Sequence, residues 1–151
     1  MSLYRASIVY KDLNPETTLY MMQVVSQESP DLMLTYQVTA GQRPVVAQRD
    51  FLFLTSVARA DQTWVAGGCS VAHPSHPATA NLVRAWQYPT CMTVTPSNLS
   101  TSTPSSNFTW LLQCDFGGLL PQAILNAAMP YAIGLFVGAL RKETKKAQQK
   151  K

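Results

Sequence analysis

The segment from residue 123 to residue 140 carries no charged side chain over 18 positions, and six basic residues follow it against one acid, Glu143. A run of this kind forms either a helix packed on a domain or a helix that crosses a membrane. As a helix it would be about 27 Å long, slightly short of a hydrocarbon core of roughly 30 Å. Asn126 and Pro130 lower its hydrophobic character, whereas Gly134 and Gly138 form a GxxxG pattern. The segment alone therefore leaves both interpretations open.

The chain before this segment has the pattern of β-strands separated by short turns. β-Branched and aromatic residues predict strands over 3–10, 32–39, 49–59, 63–72, 82–96 and 108–116. Asn14 as N-cap and Pro15 at the first helical position predict a short helix over 15–22. Successive strands joined by hairpins, with one long terminal helix, predict an α+β fold in which a helix lies on an antiparallel sheet.

The charge content is unusually low, and the net positive charge is confined to the chain end. Charged residues make up 13% of the chain and hydrophobic residues 46%, whereas about a quarter of a typical soluble domain is charged. This composition indicates a lipid cavity, a partner surface or a membrane segment in addition to an ordinary core. The basic end either solvates the terminus or contacts anionic phospholipid head groups. Nucleic acid is not an expected partner, because no basic residues interleave with aromatic ones upstream.

The chemically versatile residues do not form a recognisable catalytic or metal site. His73 and His76 form an HxxH pair that lacks a third ligand nearby. The chain has an odd number of cysteines, Cys69, Cys91 and Cys114, with no CxxC motif and no signal peptide before them. This pattern predicts a reduced, cytoplasmic protein. No nucleophile motif or phosphate-binding loop occurs. We therefore expect neither enzymatic activity nor a cofactor.

Three motifs resemble START domains, the StAR-related lipid-transfer family. The motif "QRDF" matches the family's "PRDF" at Arg49, Asp50 and Phe51, with Gln48 where proline is usual. "VRAWQYPTCM" matches at Val83, Arg84 and residues 89–92. "TWLLQCDFGGLLPQAILN" matches the end of the family domain, and the similarity covers about residues 3–142. The opening "LYRASIVY" also resembles a strand of the smaller sterol-binding members.

The resemblance implies a helix-grip fold, in which a curved antiparallel sheet surrounds an apolar tunnel closed by the C-terminal helix. One lipid of the sterol or phospholipid class would occupy the tunnel. The gate would consist of the helix, at 121–142, and of a loop over 40–46 that contains Val45 and Val46. A complete family domain is longer, so we expect N-terminal elements to be missing from an incomplete domain over 1–142, followed by a disordered basic tail over 143–151. The acid–arginine pair of cholesterol carriers would fall near Tyr36 or Gln37 and at Thr55, which cannot form it.

The candidate lipid-binding residues follow from strand and helix periodicity within this expected fold. Alternation places Arg49, Phe51, Phe53 and Thr55 on one strand face, and Trp110 and Leu112 alternate similarly on the last strand. Ile124, Ala128, Ala132, Phe136 and Leu140 recur every four residues and form one helical stripe. Each set serves equally as tunnel lining or as plain core. Arg49 is the expected polar contact for ligand specificity.

The predicted function is that of a cytoplasmic lipid carrier or sensor that meets anionic membranes peripherally. Two alternatives remain open at this stage. One is a truncated START form that transfers no lipid and acts as an interaction module, and the other is a tail-anchored membrane protein.

Overall fold

The computed structural model describes residues 19–39, 46–97 and 105–149. These ranges contain nine strands and one helix: β1 (Leu19–Ser29), β2 (Leu32–Thr39), β3 (Arg49–Ala60), β4 (Thr63–Ser70), β5 (Val83–Arg84), β6 (Trp86–Gln87), β7 (Thr90–Pro96), β8 (Ser106–Leu111), β9 (Cys114–Asp115) and α1 (Gln122–Gln149). The predicted strand over 3–10, residues 40–44 of the expected gate loop and Val45 lie outside the described residues.

The main sheet is antiparallel along its whole path, in the order β1-β2-β3-β4-β7-β8. The short strand β5 pairs in parallel with the first two residues of β3, where β4 no longer accompanies it. β6 and β9 form a separate two-stranded ladder. A curved antiparallel sheet followed by one long helix is the predicted α+β, helix-grip arrangement, and the structure confirms it.

The predicted early helix is wrong over residues 19–22, which belong to strand β1. β1 pairs with β2 from Leu19 opposite Thr39 to Ser29 opposite Leu32. Only Pro30 and Asp31 separate the two strands, and the backbone N–H of Asp31 donates to Ser29 Oγ at 3.3 Å. The tight turn brings these residues next to β2, and the backbone hydrogen bonds that they form with it stabilise a strand more than their weak helical propensity stabilises a helix. Residues 15–18 lie outside the described ranges.

Two long predicted strands are each divided in the structure. The predicted strand over 82–96 becomes β5, β6 and β7, and the one over 108–116 becomes β8 and β9. Ala85 lies between β5 and β6, where its N–H donates to the carbonyl of Asp50 at 2.9 Å. Pro89 has no N–H for a ladder, so pairing stops before β7 starts. These breaks let the chain leave one ladder and join another.

Helix α1 extends further than the resemblance implied. It runs through Gln149, so the residues predicted to form a disordered tail are helical over 143–149. No glycine or proline follows Gly138 in the helix, and Lys146 Nζ lies 2.6 Å from Glu143 Oε1, one turn earlier. Pairs at this spacing support a solvent-exposed helical segment. Pro130 lies inside the helix.

Candidate lipid-binding site

Strand register assigns five of the predicted site residues to one face of the sheet. Residues directly opposite each other in an antiparallel pair share a face. Phe51 lies opposite Gln37, and Phe53 lies opposite Thr35. Across the other strands, the same face carries Ala66 of β4, Met92 of β7 and Trp110 of β8. We call this the lid face, and it carries Arg49, Phe51, Phe53, Thr55, Phe108 and Trp110.

The helix contacts the lid face through Phe136. The ring of Phe136 lies 4.9 Å from the ring of Trp110 and 6.3 Å from that of Phe108, measured between centroids. Phe136 is 8% exposed and is the one residue of α1 that is buried. Two residues that were predicted separately as lipid-binding, Trp110 and Phe136, are thus in contact, and these rings hold the helix over the sheet.

The rest of the predicted helical stripe is less enclosed. Ile124, Ala132 and Leu140 are half-buried, whereas Ala128 is exposed. Gly134 and Gly138 are exposed, and a methyl group added at either would meet no atom within 4 Å, so they lie on the solvent side of the helix. The helix therefore covers the lid face without packing tightly on it along its length.

The other predicted residues lie on β3 or near the ends of β3 and β8, and they differ in burial. Phe51 is buried and its ring contacts that of Phe116 edge-on, with centroids 6.5 Å apart. Phe53 and Thr55 are half-buried further along β3. Leu112 lies just beyond the end of β8 and is half-buried, and so is Val46 next to β3.

Arg49 lies at the start of β3 and is 5% exposed. Its Nε donates to the carbonyl of Phe116 at 3.4 Å, and its Nη1 donates to the carbonyl of Ala47. Both acceptors are neutral, and among the described residues Arg49 forms no ion pair. The backbone of Arg49 is fixed by a hydrogen bond from its N–H to Thr39 Oγ1 at 3.0 Å.

The opposite face of β3 contains a buried ion pair that the sequence analysis missed. Asp50 is fully buried and accepts hydrogen bonds from Arg84 and from the hydroxyl of Tyr36, the latter at 3.0 Å. Burial, followed by the hydrogen bond to Asp50, raises the pKa of Tyr36, and the hydrogen bond to Asp50 raises the pKa of Arg84. Asp50 and Arg84 each lie in a motif that resembles the family. Their presence in these motifs was the one sequence feature that could have drawn attention to the pair.

One polar atom below the helix has no partner. Trp110 Nε1 is buried and forms no hydrogen bond. Buried donors are almost always paired, so an orphan donor in a candidate ligand site calls for an explanation. It lies on the lid face next to Phe136.

The histidine pair has a local structural arrangement. His73 Nδ1 and His76 Nδ1 lie 2.7 Å and 2.8 Å from Ser75 Oγ. In the part of the chain that the structure describes, no group of three His, Cys, Asp or Glu side chains could hold a metal ion.

Burial raises the pKa of the Cys114 thiol from 9.0 to about 12, with a smaller contribution from the charge of Asp115.

A curved antiparallel sheet, with an aromatic and apolar face under a C-terminal helix, defines the class of helix-grip proteins that enclose small apolar ligands. The chain belongs to the START domain family, whose model matches residues 5–150.

The curated relatives are steroidogenic acute regulatory proteins. The chain is 33% identical over 133 residues to the mitochondrial protein of Salvelinus fontinalis, covering 86% of this chain and 44% of the relative. It is 30% identical over 138 residues to that of Gallus gallus, covering 90% and 47% of the two chains. The chain thus spans less than half the length of these relatives.

Solved structures of lipid-transfer proteins share the fold. Human StAR-related lipid transfer protein 5 superposes with a TM-score of 0.74 at 20% identity, covering 94% of this chain and 71% of that one. Human STARD10 gives a TM-score of 0.71 at 20% identity, covering 99% and 62%. Proteins of this family bind and transfer lipids and are not enzymes, which agrees with the expectation that this chain has no catalytic role.

Proposed function

We propose that this protein binds one lipid molecule, of the sterol or phospholipid class, between the lid face and α1, and carries or senses it between membranes. Residues 1–142 would form the lipid-binding unit. The observation that carries the proposal is the lid face itself, an aromatic and apolar surface covered by a helix whose one buried residue, Phe136, contacts it. Such a surface is costly to leave open to water and is suited to an apolar ligand.

The proposed binding residues fall into two groups on the lid face and the helix. Apolar contacts would come from the sheet and the stripe of α1, namely Phe51, Phe53, Thr55, Trp110, Leu112, Ile124, Ala128, Ala132 and Phe136. Burial of apolar ligand surface contributes about 25 cal/mol per Å², so these contacts supply affinity without fixing the ligand's identity. Arg49 would supply the polar contact that selects the head group.

Gating would depend on the limited contact between α1 and the sheet. One side chain of the helix, Phe136, is buried, whereas the other residues of its apolar stripe are half-buried or exposed. Moving Phe136 off Trp110 would expose the lid face and release the ligand. Val45 and Val46, in the loop that the resemblance assigns to the gate, would form the other side of the opening.

Ligand exchange requires contact with a membrane. The end of α1 carries Arg141, Lys142, Lys145 and Lys146, partly balanced by Glu143, and each basic residue close to an anionic surface contributes about 1 kcal/mol. We propose a cytoplasmic protein that binds membranes peripherally through this end. The curated relatives are named as mitochondrial proteins.

Lipid identification on the purified full chain tests the proposal directly. We expect native mass spectrometry to show one lipid per protein molecule, and fluorescent lipid to move faster between vesicles when the protein is added. Phe53→Asp, which buries a charge on the lid face, should abolish transfer, whereas Leu111→Asp, at a 64% exposed residue of β8, should not. A folded protein that binds no lipid would instead favour the alternative of an interaction module that transfers no lipid.

The properties of α1 favour one further alternative, a tail-anchored membrane protein. α1 contains an 18-residue window with a mean hydropathy of 1.7, of which 6% is buried, and it is long and apolar enough to cross a membrane by length and composition. Carbonate extraction of cell membranes separates the two functions. Retention in the pellet would establish an anchor, whereas release into the supernatant is expected for a lid helix.

A further inference from the structure

We propose that the bound lipid has an acidic head group, a carboxylate or a phosphate, and that Arg49 binds it. This inference rests on the proposed function, because it specifies the ligand of the same site. It starts from the charge of the lid face rather than from its apolar area.

The lid face carries positive charge without a balancing negative charge. On β2, β3, β4, β7 and β8, the one buried charged side chain of this face is Arg49. Arg59, near the other end of β3, is exposed to solvent and stacks on Trp64, so it needs no ligand to compensate its charge. The one acid of these strands, Asp50, lies on the opposite face. Asp50 is already bound by Arg84. A buried guanidinium without a counter-ion is unfavourable, and an anionic ligand group removes this cost.

The hydrogen bonds of Arg49 leave part of its guanidinium available. Nε and Nη1 donate to the carbonyls of Phe116 and Ala47, while Nη2 donates to no described atom. Two neutral carbonyls fix the plane of the group but do not neutralise it. The remaining N–H groups of Nη1 and Nη2 form the planar fork that binds two oxygens of a carboxylate or phosphate.

The neighbouring acid does not neutralise Arg49. Asp115 precedes Phe116 in the chain, but its Oδ1 accepts the backbone N–H of Gly117 at 2.8 Å and the residue is exposed. Within the described ranges, no carboxylate oxygen lies within 4 Å of Arg49. Among the described residues none supplies this counter-charge, and an anionic group of a bound lipid would supply it.

The unpaired polar atom beneath the helix is also a donor. Trp110 Nε1 is buried on the lid face without an acceptor. Through Met92 and Ala66, Trp110 is in register with Val57, eight residues from Arg49 along β3, so its N–H needs an acceptor on another part of the ligand than the head group. A sterol hydroxyl is neutral and would leave the charge of Arg49 uncompensated.

The test compares loading of the full chain from phosphatidylcholine vesicles that contain phosphatidic acid, oleic acid or cholesterol as a minor component. Native mass spectrometry identifies the lipid bound to wild type, Arg49→Gln, Arg49→Lys and Arg59→Gln. Arg59 is the matched control, because it is an exposed arginine of the same strand whose guanidinium stacks on Trp64.

We expect wild type to load an acidic lipid in preference to cholesterol and phosphatidylcholine. Arg49→Gln should reduce acidic-lipid loading about tenfold or more, since a charge-assisted contact is lost. Arg49→Lys should retain the preference for acids, and Arg59→Gln should match wild type. Preferred loading of phosphatidic acid identifies a phosphate head group as the natural one, and preferred loading of oleic acid identifies a carboxylate.

Three outcomes would overturn the inference. Preferential loading of cholesterol or phosphatidylcholine by wild type leaves lipid binding intact but excludes an acidic ligand. An equal loss of all lipids in Arg49→Gln assigns Arg49 a purely structural role. If no lipid binds at all, the proposed function fails together with the inference. Should Arg49→Gln not fold, the class of lipid that co-purifies with wild type decides the question by itself.

Discussion

Arg84 binds Asp50 through two hydrogen bonds, from Nε to Oδ1 at 3.1 Å and from Nη2 to Oδ2 at 2.8 Å. The pair joins the start of β3 to β5, and Nη2 also donates to the carbonyls of His76 and Pro77. It therefore fixes the loop before β5 on the side of the sheet opposite the lid face. The side chain of Asp50 is 1% exposed and that of Arg84 is 20% exposed. Water can therefore solvate Arg84 if its partner is lost, whereas it cannot reach Asp50.

We predict that Arg84→Met destabilises the protein more than Asp50→Asn does. Loss of Arg84 leaves a buried carboxylate with only the Tyr36 hydroxyl and should cost about 3 to 5 kcal/mol. Loss of the Asp50 charge leaves an arginine that reaches solvent and two carbonyls, at a cost of about 2 kcal/mol. Urea denaturation measures both. Glu143→Gln, in the exposed pair on α1, should change stability by less than about 1 kcal/mol. Equal costs for the two bridge variants would contradict the predicted asymmetry.

The anchoring role of Phe136 predicts a defect in ligand retention. Phe136→Ala removes the ring that contacts Trp110 and Phe108, and large-to-small changes at buried aromatic sites cost about 3 kcal/mol or more. Because this contact holds the helix down, we expect bound lipid to dissociate at least about tenfold faster. Tyr131→Ala, at a residue of the same helix that is 67% exposed, is the control. Stopped-flow release of a fluorescent lipid gives both rates, and equal rates would exclude Phe136 as the anchor.

Two glycines should respond oppositely to substitution by alanine. A Cβ at Gly68 would clash with the carbonyl oxygen of Leu54 and lie 2.9 Å from the ring of Phe53, so Gly68→Ala must displace backbone and should cost about 2 kcal/mol. Gly134 is inside α1 with nothing within 4 Å, and Gly134→Ala should stabilise the helix by about 0.5 to 1 kcal/mol. Thermal unfolding midpoints should shift in opposite directions. A shared direction would show that one of these two environments differs from the structure.

The pKa shifts of Cys114 and Tyr36 predict lower stability at alkaline pH. Burial raises the pKa of Cys114 from 9.0 to about 12 and raises that of Tyr36 above 10.0. Between the unfolded and folded pKa values, the folded state holds these protons more tightly, so its stability falls as pH rises through that window. Urea midpoints should therefore decrease from about pH 9 upward. Cys114→Ala should flatten this slope, and a midpoint independent of pH across the window would refute the shift.

Much of the sheet was predictable because alternation along β3 carries a strong signal. Arg49 and Phe51 lie on the opposite face from Asp50 and Leu52, as strand geometry requires. The helix was likewise predictable from its uncharged apolar run, although its end was not. Residues 143–149 are helical through local pairs such as Glu143 with Lys146, whereas a run of lysines resembles a solvated tail in composition.

The missed features depend on contacts between distant segments. The first four residues of β1, 19–22, were mistaken for a helix because Pro15 and the apolar residues after it fit a helical start. The pairing of β1 with β2 is visible only once the hairpin at Pro30 is recognised. The Asp50–Arg84 pair joins residues 34 positions apart, which no local pattern reveals. That no described carboxylate pairs with Arg49 could likewise not be predicted, because it depends on which distant segments surround a buried side chain.

The basic end of α1 predicts a dependence of lipid transfer on membrane charge. Replacing Arg141, Lys142, Lys145 and Lys146 by glutamine removes four charges, each contributing about 1 kcal/mol of attraction to an anionic surface. Transfer from anionic vesicles should slow at least about fivefold, while transfer from neutral vesicles stays unchanged. Raising the salt concentration should slow the wild type towards the variant, because screening weakens the same attraction. Unchanged rates with anionic vesicles would mean that this end of the helix only solvates the chain and that membrane contact occurs elsewhere.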